Sequence, residues 1–183
     1  NHIFDITCGF DEGAVQAGGS VTLSESCRYS GVQVAKKINM YNQMSQVLLG
    51  YTGSNNTTEI FESDLNIGDD NNQMTSCYFI TLSRLIMKEQ IKKGTFSMTL
   101  GTGSYNSADA ITGPTSKTPF SLIDASASAG DTGGYKSGLP GGDYGVLYVS
   151  GASPVTASGV IFYQAGVVVL SSSWTKSSAG SGL

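Results

Sequence analysis

Apolar side chains recur at Val34, Ile38, Tyr41, Met44, Leu48 and Tyr51, three or four residues apart, which sets them on one face of a helix. Ser30 and Gln33 fit a capping box ahead of that run, Tyr29 and Val34 fit its hydrophobic staple, and Gly50 supplies a stop. The spacing predicts a long amphipathic helix over 31–49. Cys77 to Ser83 is aromatic and β-branched, and Thr95 to Leu100 alternates apolar Phe96, Met98 and Leu100 with Thr95, Ser97 and Thr99, so both read as strands. Between them Leu85, Ile86, Met87 and Ile91 predict a short helix over about 84–93, with Lys92 and Lys93 against its dipole and Gly94 just past its end. Tyr144 to Ser150 and Val160 to Leu170 predict a hairpin, with Gly166 marking a bulge or tight turn in the second arm. Apolar residues at consecutive positions in these arms require cover on both faces, and in a domain this small a partner subunit is a candidate for the second cover.

The intervening stretches are turn-rich. Val21 to Leu23 and Glu59 to Leu65 predict short strands, while Gly53 to Asn56 and Gly68 to Asn72 mark loops. Residues 101–143 form a long Gly/Ser-rich loop broken only by Phe120 to Ile123, of a length that is usually functional or flexible. The result is a single α+β domain over 1–172: a mainly antiparallel sheet, one long amphipathic helix, one short helix and that loop. Residues 173–183 read as a Ser/Gly-rich tail or linker. A chain that opens at Asn1 rather than Met reads as processed or as a segment of something longer.

Composition narrows the classes. Gly, Ser and Thr make up 66 of 183 residues, and only 13% of the chain is charged, against a usual share of roughly 25%. Helical bundles and charge-driven disorder are thereby excluded. Ten basic residues against fourteen acidic ones disfavour contact with nucleic acid. No apolar run approaches the roughly 20 residues of a membrane-crossing helix. Cys8, Cys27 and Cys77 are an odd count without ligand spacing, so reduced thiols are expected in a reducing compartment, with a Cys8–Cys27 bridge as the alternative.

No catalytic, cofactor or metal constellation emerges, and the chain is read as a non-enzyme. His2 lies at the terminus, and Gly130-Asp131-Thr132-Gly133-Gly134 carries Thr where a protease nucleophile loop needs Ser, with no internal His as base. Asp69 to Asn72 lacks the spacing and closing Glu of a calcium loop. The sequons at Asn55 and Asn56 matter only in a eukaryotic secretory pathway. The candidate contact residues are Arg84, Lys88, Lys92 and Lys93, of which 84, 88 and 92 stack as a basic ridge on a helix, together with Tyr105 and Tyr135 in the long loop. The ridge is either a solvated face or a contact for an acidic neighbouring subunit; Tyr105 and Tyr135 are open to a glycan or a protein. Tyr41 and Tyr51, being periodic, are assigned to the core.

Several stretches together resemble structural virion proteins of contractile-tailed bacteriophages, especially those of marine cyanobacteria and similar hosts. They are Asn39 to Gly50, Phe79 to Arg84, Lys88 to Phe96, Asp143 to Tyr148 and Ile161 to Leu170, and the similarity spans roughly 39–172. The resemblance implies a component of the tail or baseplate region, assembled in the host bacterial cytoplasm, that packs against copies of itself and other virion proteins as a homo-oligomer. It brings no catalytic residues. The alternative is a receptor- or glycan-binding module of a tail fibre or adhesin, built on the 101–143 loop.

Overall fold

The computed structural model describes residues 3–12, 31–51, 58–66, 71–83, 89–102, 118–125, 134–151 and 157–172. Eight strands form one curled sheet: β1 (Phe4–Phe10), β2 (Ser76–Leu82), β3 (Ser97–Thr102), β4 (Thr118–Ile123), β5 (Tyr135–Lys136), β6 (Tyr144–Val149), β7 (Ala157–Phe162) and β8 (Val167–Ser171). Their order across the sheet is β1-β2-β8-β7-β6-β4-β3, with β5 pairing the start of β6, and every pairing is antiparallel. The helix α1 (Gly31–Leu48) is the expected long one. It ends where Gly50 adopts a left-handed φ of 97° and its amide reaches the Ser45 carbonyl at 3.1 Å. Tyr51 therefore falls beyond the helix and is 59% exposed, so the core position assigned to it from periodicity is not realised, while Tyr41 is buried as expected.

The expected hairpin of Tyr144–Ser150 with Val160–Leu170 is a three-strand meander. A tight turn at Tyr163–Gly166 splits the second arm into β7 and β8, closed by a Gly166 N–H to Phe162 carbonyl bond of 2.9 Å. Alternation along β6, β7 and β8 divides the buried residues into two sets. Val146, Val160, Phe162, Val167 and Val169 face one side with Cys77 and Phe79 of β2. Leu147, Ile161, Val168 and Leu170 face the other with Ile80. Two separate clusters form, one on each face.

The first face is covered by α1 and by residues 58–66 and 71–74. Tyr41 stands at the centre of an aromatic group, edge-on to Phe61 at 5.5 Å and to Phe79 at 6.1 Å, and Phe61 in turn meets Phe162 at 6.5 Å. The Tyr41 hydroxyl donates to the Met74 carbonyl at 2.8 Å and accepts the Phe61 amide at 3.1 Å. That use of the Phe61 amide, with Leu65 at φ 71°, leaves 59–65 an irregular arm bridged to Gln73 at Glu62, where a short strand is expected from sequence.

The second face is covered by the chain itself, which replaces the partner subunit considered from the sequence. β4 joins the end of β6 through Leu122↔Val149, Ile123↔Tyr148 and the Ser150 amide to the Ser121 carbonyl, so the contact is confined to the C-terminal half of β4. Phe96, Met98, Leu100 and Phe120 then pack on the second cluster, together with Ile91. Of the expected short helix, 84–88 lie outside the described residues, and 89–93 are irregular. The Ile91 amide is taken by the Tyr163 carbonyl at 3.0 Å, which pins the segment along the sheet instead of into helical turns. The expected strand at 21–23 and the tail at 173–183 also lie outside the described residues, and β5 interrupts the region read as one long loop. Cys8 and Cys77 carry free thiols, and Cys27 is outside the described residues.

Gly9 seats the helix on β1. A Cβ there would stand 2.8 Å from the Tyr41 amide nitrogen and 2.9 Å from the Lys37 carbonyl, both backbone atoms. Gly9→Ala is expected to destabilise the fold by about 1–3 kcal/mol through overpacking, read as a lower urea midpoint. An unchanged midpoint contradicts this close seat.

Candidate functional site

The sequence candidates separate into two groups. Arg84, Lys88 and Tyr105 lie outside the described residues. Lys92, Lys93 and Tyr135 are described, and the last two meet. The Lys93 ammonium lies 3.7 Å from the centre of the Tyr135 ring and 2.5 Å from Asp143 Oδ2. Lys92 is exposed and sits in the irregular 89–93 segment, so no helix face carries it as the end of a basic ridge.

Local chain geometry brings these groups together. Residues 92–95 form a turn in which the Thr95 hydroxyl donates to the Lys92 carbonyl at 2.8 Å, and Gly94 takes a left-handed φ of 74°. Tyr135 arrives on β5, and Asp143 immediately precedes β6, with which β5 pairs. The Asp143 carbonyl accepts the Tyr163 amide at 2.9 Å, fixing the β6 start to the β7–β8 turn. Lys93 and Asp143 each keep about a fifth of their side-chain surface exposed (22% and 23%). Their pair is a surface ion pair capped by a ring, worth little more than about 1 kcal/mol.

Behind it lies a buried carboxylate that sequence reasoning missed. Asp124, fully buried, follows β4 directly. Its Oδ1 accepts the Phe96 amide at 2.8 Å, and its Oδ2 accepts the Gly94 amide at 2.9 Å and the Tyr163 hydroxyl at 3.1 Å. Charge-assisted bonds of this kind offset the cost of burying the carboxylate. Gly145 makes room for the arrangement, since a Cβ there would collide with the Tyr163 hydroxyl.

The chemistry open to this cluster follows from its protonation. The hydrogen bond to Asp143 is the main cause that raises Lys93 above its ordinary value, so the amine is held as a cation and acts as a charge rather than a nucleophile. Burial, reinforced by Asp124, raises the Tyr163 phenol as well. Among the described residues, no three His, Cys, Asp or Glu side chains stand close enough together to hold a metal ion. The cluster is a lock between the 91–96 segment and the β5–β6 edge, and Lys92, Lys93 and Tyr135 form its partly open rim.

A second feature missed from sequence is at the other end of the sheet. Ile3, Phe4 and Ile6 are 55%, 49% and 58% exposed on and beside the edge strand β1. The period-two run Phe4, Ile6, Cys8, Phe10 is a strand signal, but residues 1–28 as a whole carry no dominant period.

Asp124→Ala removes the acceptor for three donors, and a loss of about 2–4 kcal/mol is expected in chemical denaturation; a loss below about 1 kcal/mol contradicts the lock. The pH dependence has a defined sign. Burial raises Tyr41 and Tyr163 above the ordinary 10.0, and Lys93 is raised above 10.5. Their protons leave the unfolded chain first, so the stability they supply is complete below about pH 10 and declines as pH rises toward the folded-state values. Melting temperature is expected to fall with pH in that range, and less steeply in Tyr163→Phe; equal slopes contradict the assignment. Comparisons of the chain with family models, with curated proteins and with solved structures find no match, so the cluster is interpreted from its own geometry.

Proposed function

We propose that this chain is a structural subunit of a bacteriophage virion, of the tail or baseplate region, acting by protein–protein assembly. The observation that carries the assembly reading is the placement of exposed apolar surface. Both faces of the sheet centre are filled from within the chain. Of the exposed large apolar side chains among the described residues, Ile3, Phe4 and Ile6 stand about half exposed at one sheet edge, while Val47 and Tyr51 stand at the end of α1. A cluster of this kind on a low-charge chain is the signature of a surface made to be covered by protein. Its placement in a phage particle rests on the resemblance of the stretches between 39 and 172. The polar rim of Lys92, Lys93 and Tyr135 is a further contact surface on this reading. The glycan-binding alternative draws less support, because the Tyr135 ring is occupied by Lys93.

The reading is tested in purified particles. Quantitative mass spectrometry is expected to find the chain at a fixed copy number, and loss of its gene is expected to stop particle assembly. Complete, assembled particles lacking the chain, together with binding of the isolated chain to host glycans, overturn it in favour of the adhesin.

A further inference from the structure

We infer that β1 pairs antiparallel with β1 of a second copy of this chain, about a two-fold axis at Ile6; this names a partner for the assembly reading and rests on it. The argument begins with which backbone groups are free. Ser83 donates its amide to the Ile3 carbonyl, and Asp11 donates to Thr75, so the odd-numbered residues of β1 hydrogen-bond to β2. The amides and carbonyls of Phe4, Ile6 and Cys8 consequently point away from the sheet. Among the described residues no strand pairs with that edge. It carries no Pro, no Lys and no bulge, and its one charged side chain is the exposed Asp5.

The side chains of the same residues lie on the second face, since Ile6 stands opposite Ile80 and Cys8 opposite Tyr78. Apolar side chains and outward-facing backbone therefore coincide on alternate residues, which is the requirement for an apolar ladder. Among the described residues β3 stands at the far end of the strand order, and it has the opposite arrangement. Asp124 donates its amide to the Phe96 carbonyl, so even-numbered residues of β3 turn toward β4 and Ser97, Thr99 and Gly101 turn outward. In an antiparallel ladder outward residues face outward residues. Pairing β1 with β3 of another copy would set Phe4 and Ile6 against Ser97 and Thr99, and Asp5 against Met98 or Leu100. Only β1 on β1 matches apolar to apolar.

The register follows from exposure and charge. Gly9 and Phe10 are buried, so the usable edge stops near Cys8. An axis at Asp5 would place two like charges face to face, which is unfavourable. An axis at Ile6 sets Ile6 against Ile6, Phe4 against the second copy's Cys8, and Asp5 against the second copy's Thr7. The contact extends the apolar second face across the axis and forms about six main-chain hydrogen bonds.

The test uses the full chain in solution. Sedimentation equilibrium is expected to give twice the 19.0 kDa chain mass, and Ile6→Lys is expected to halve it with an unchanged far-UV circular dichroism spectrum and a melt that no longer depends on concentration, Ile6 being exposed. In a Cys8→Ser, Cys27→Ser background, Ile6→Cys is expected to form a disulfide-linked dimer on mild oxidation, because a hydrogen-bonded pair holds its Cα atoms about 5.5 Å apart. Thr99→Cys in the same background is expected to remain monomeric on reducing-agent-free gels. A dimer that survives Ile6→Lys overturns the pairing and leaves the assembly reading standing. A wild-type chain that is monomeric up to its solubility limit overturns it too, and particle composition then decides the assembly reading separately. Crosslinking between Ile6→Cys and Thr99→Cys chains overturns it in favour of a head-to-tail contact.

Discussion

Asp124 is the fixed point of the second layer. The meander of β6, β7 and β8 is apolar on both faces, and an apolar face left to water forfeits the dominant favourable term in folding. One face is covered by α1 and the arm around Phe61 and Met74, tied together by the Tyr41 hydroxyl. The other depends on a hairpin that joins the rest of the sheet through two residue pairs and the bond from the Ser150 amide to the Ser121 carbonyl. Such a weak hinge does not fix an angle. The buried carboxylate does, by accepting bonds from the 94–96 backbone on one side and from Tyr163 on the other. The ion pair and ring of Lys93, Asp143 and Tyr135 close the same junction from outside, where solvent makes them weaker.

Closing both faces from within changes what is left for partners. A sheet covered on one side only would offer a broad apolar face, and the chain would depend on a neighbour for its fold. Here the core is complete without one, and exposed large apolar side chains remain at Ile3, Phe4 and Ile6 on and beside β1 and at Val47 and Tyr51 at the end of α1. On the proposed pairing, folding and association use separate surfaces, and a change at Ile6 is predicted to remove the second while the monomer keeps its fold.

The legible parts of the sequence were those set by local period. The spacing of Val34, Ile38, Tyr41, Met44 and Leu48 marks α1 directly, and apolar runs mark β2, β6 and, as a single arm, β7 with β8. What the sequence hides is non-local. The partners of Asp124 lie 28 to 39 residues away, and nothing next to it in the chain distinguishes it from a solvated loop carboxylate. The irregular course of 89–93 is dictated by a backbone bond to Tyr163, against a local pattern that favours a helix. Tyr51 keeps helical spacing but follows Gly50, which ends the helix first. Lys93 and Tyr135 were legible as candidates by residue type, but their engagement with each other and with Asp143 was not, since it depends on β5 returning to the start of β6.

The central claim is that this chain is an assembly part whose exposed edge is made for another copy. The most direct measurement is a cryo-electron microscopy map of the intact particle at a resolution that traces strands. The account predicts adjacent copies with β1 strands running antiparallel and hydrogen-bonded across a two-fold at Ile6. A map in which the chain is present with the outer edge of β1 facing solvent contradicts it.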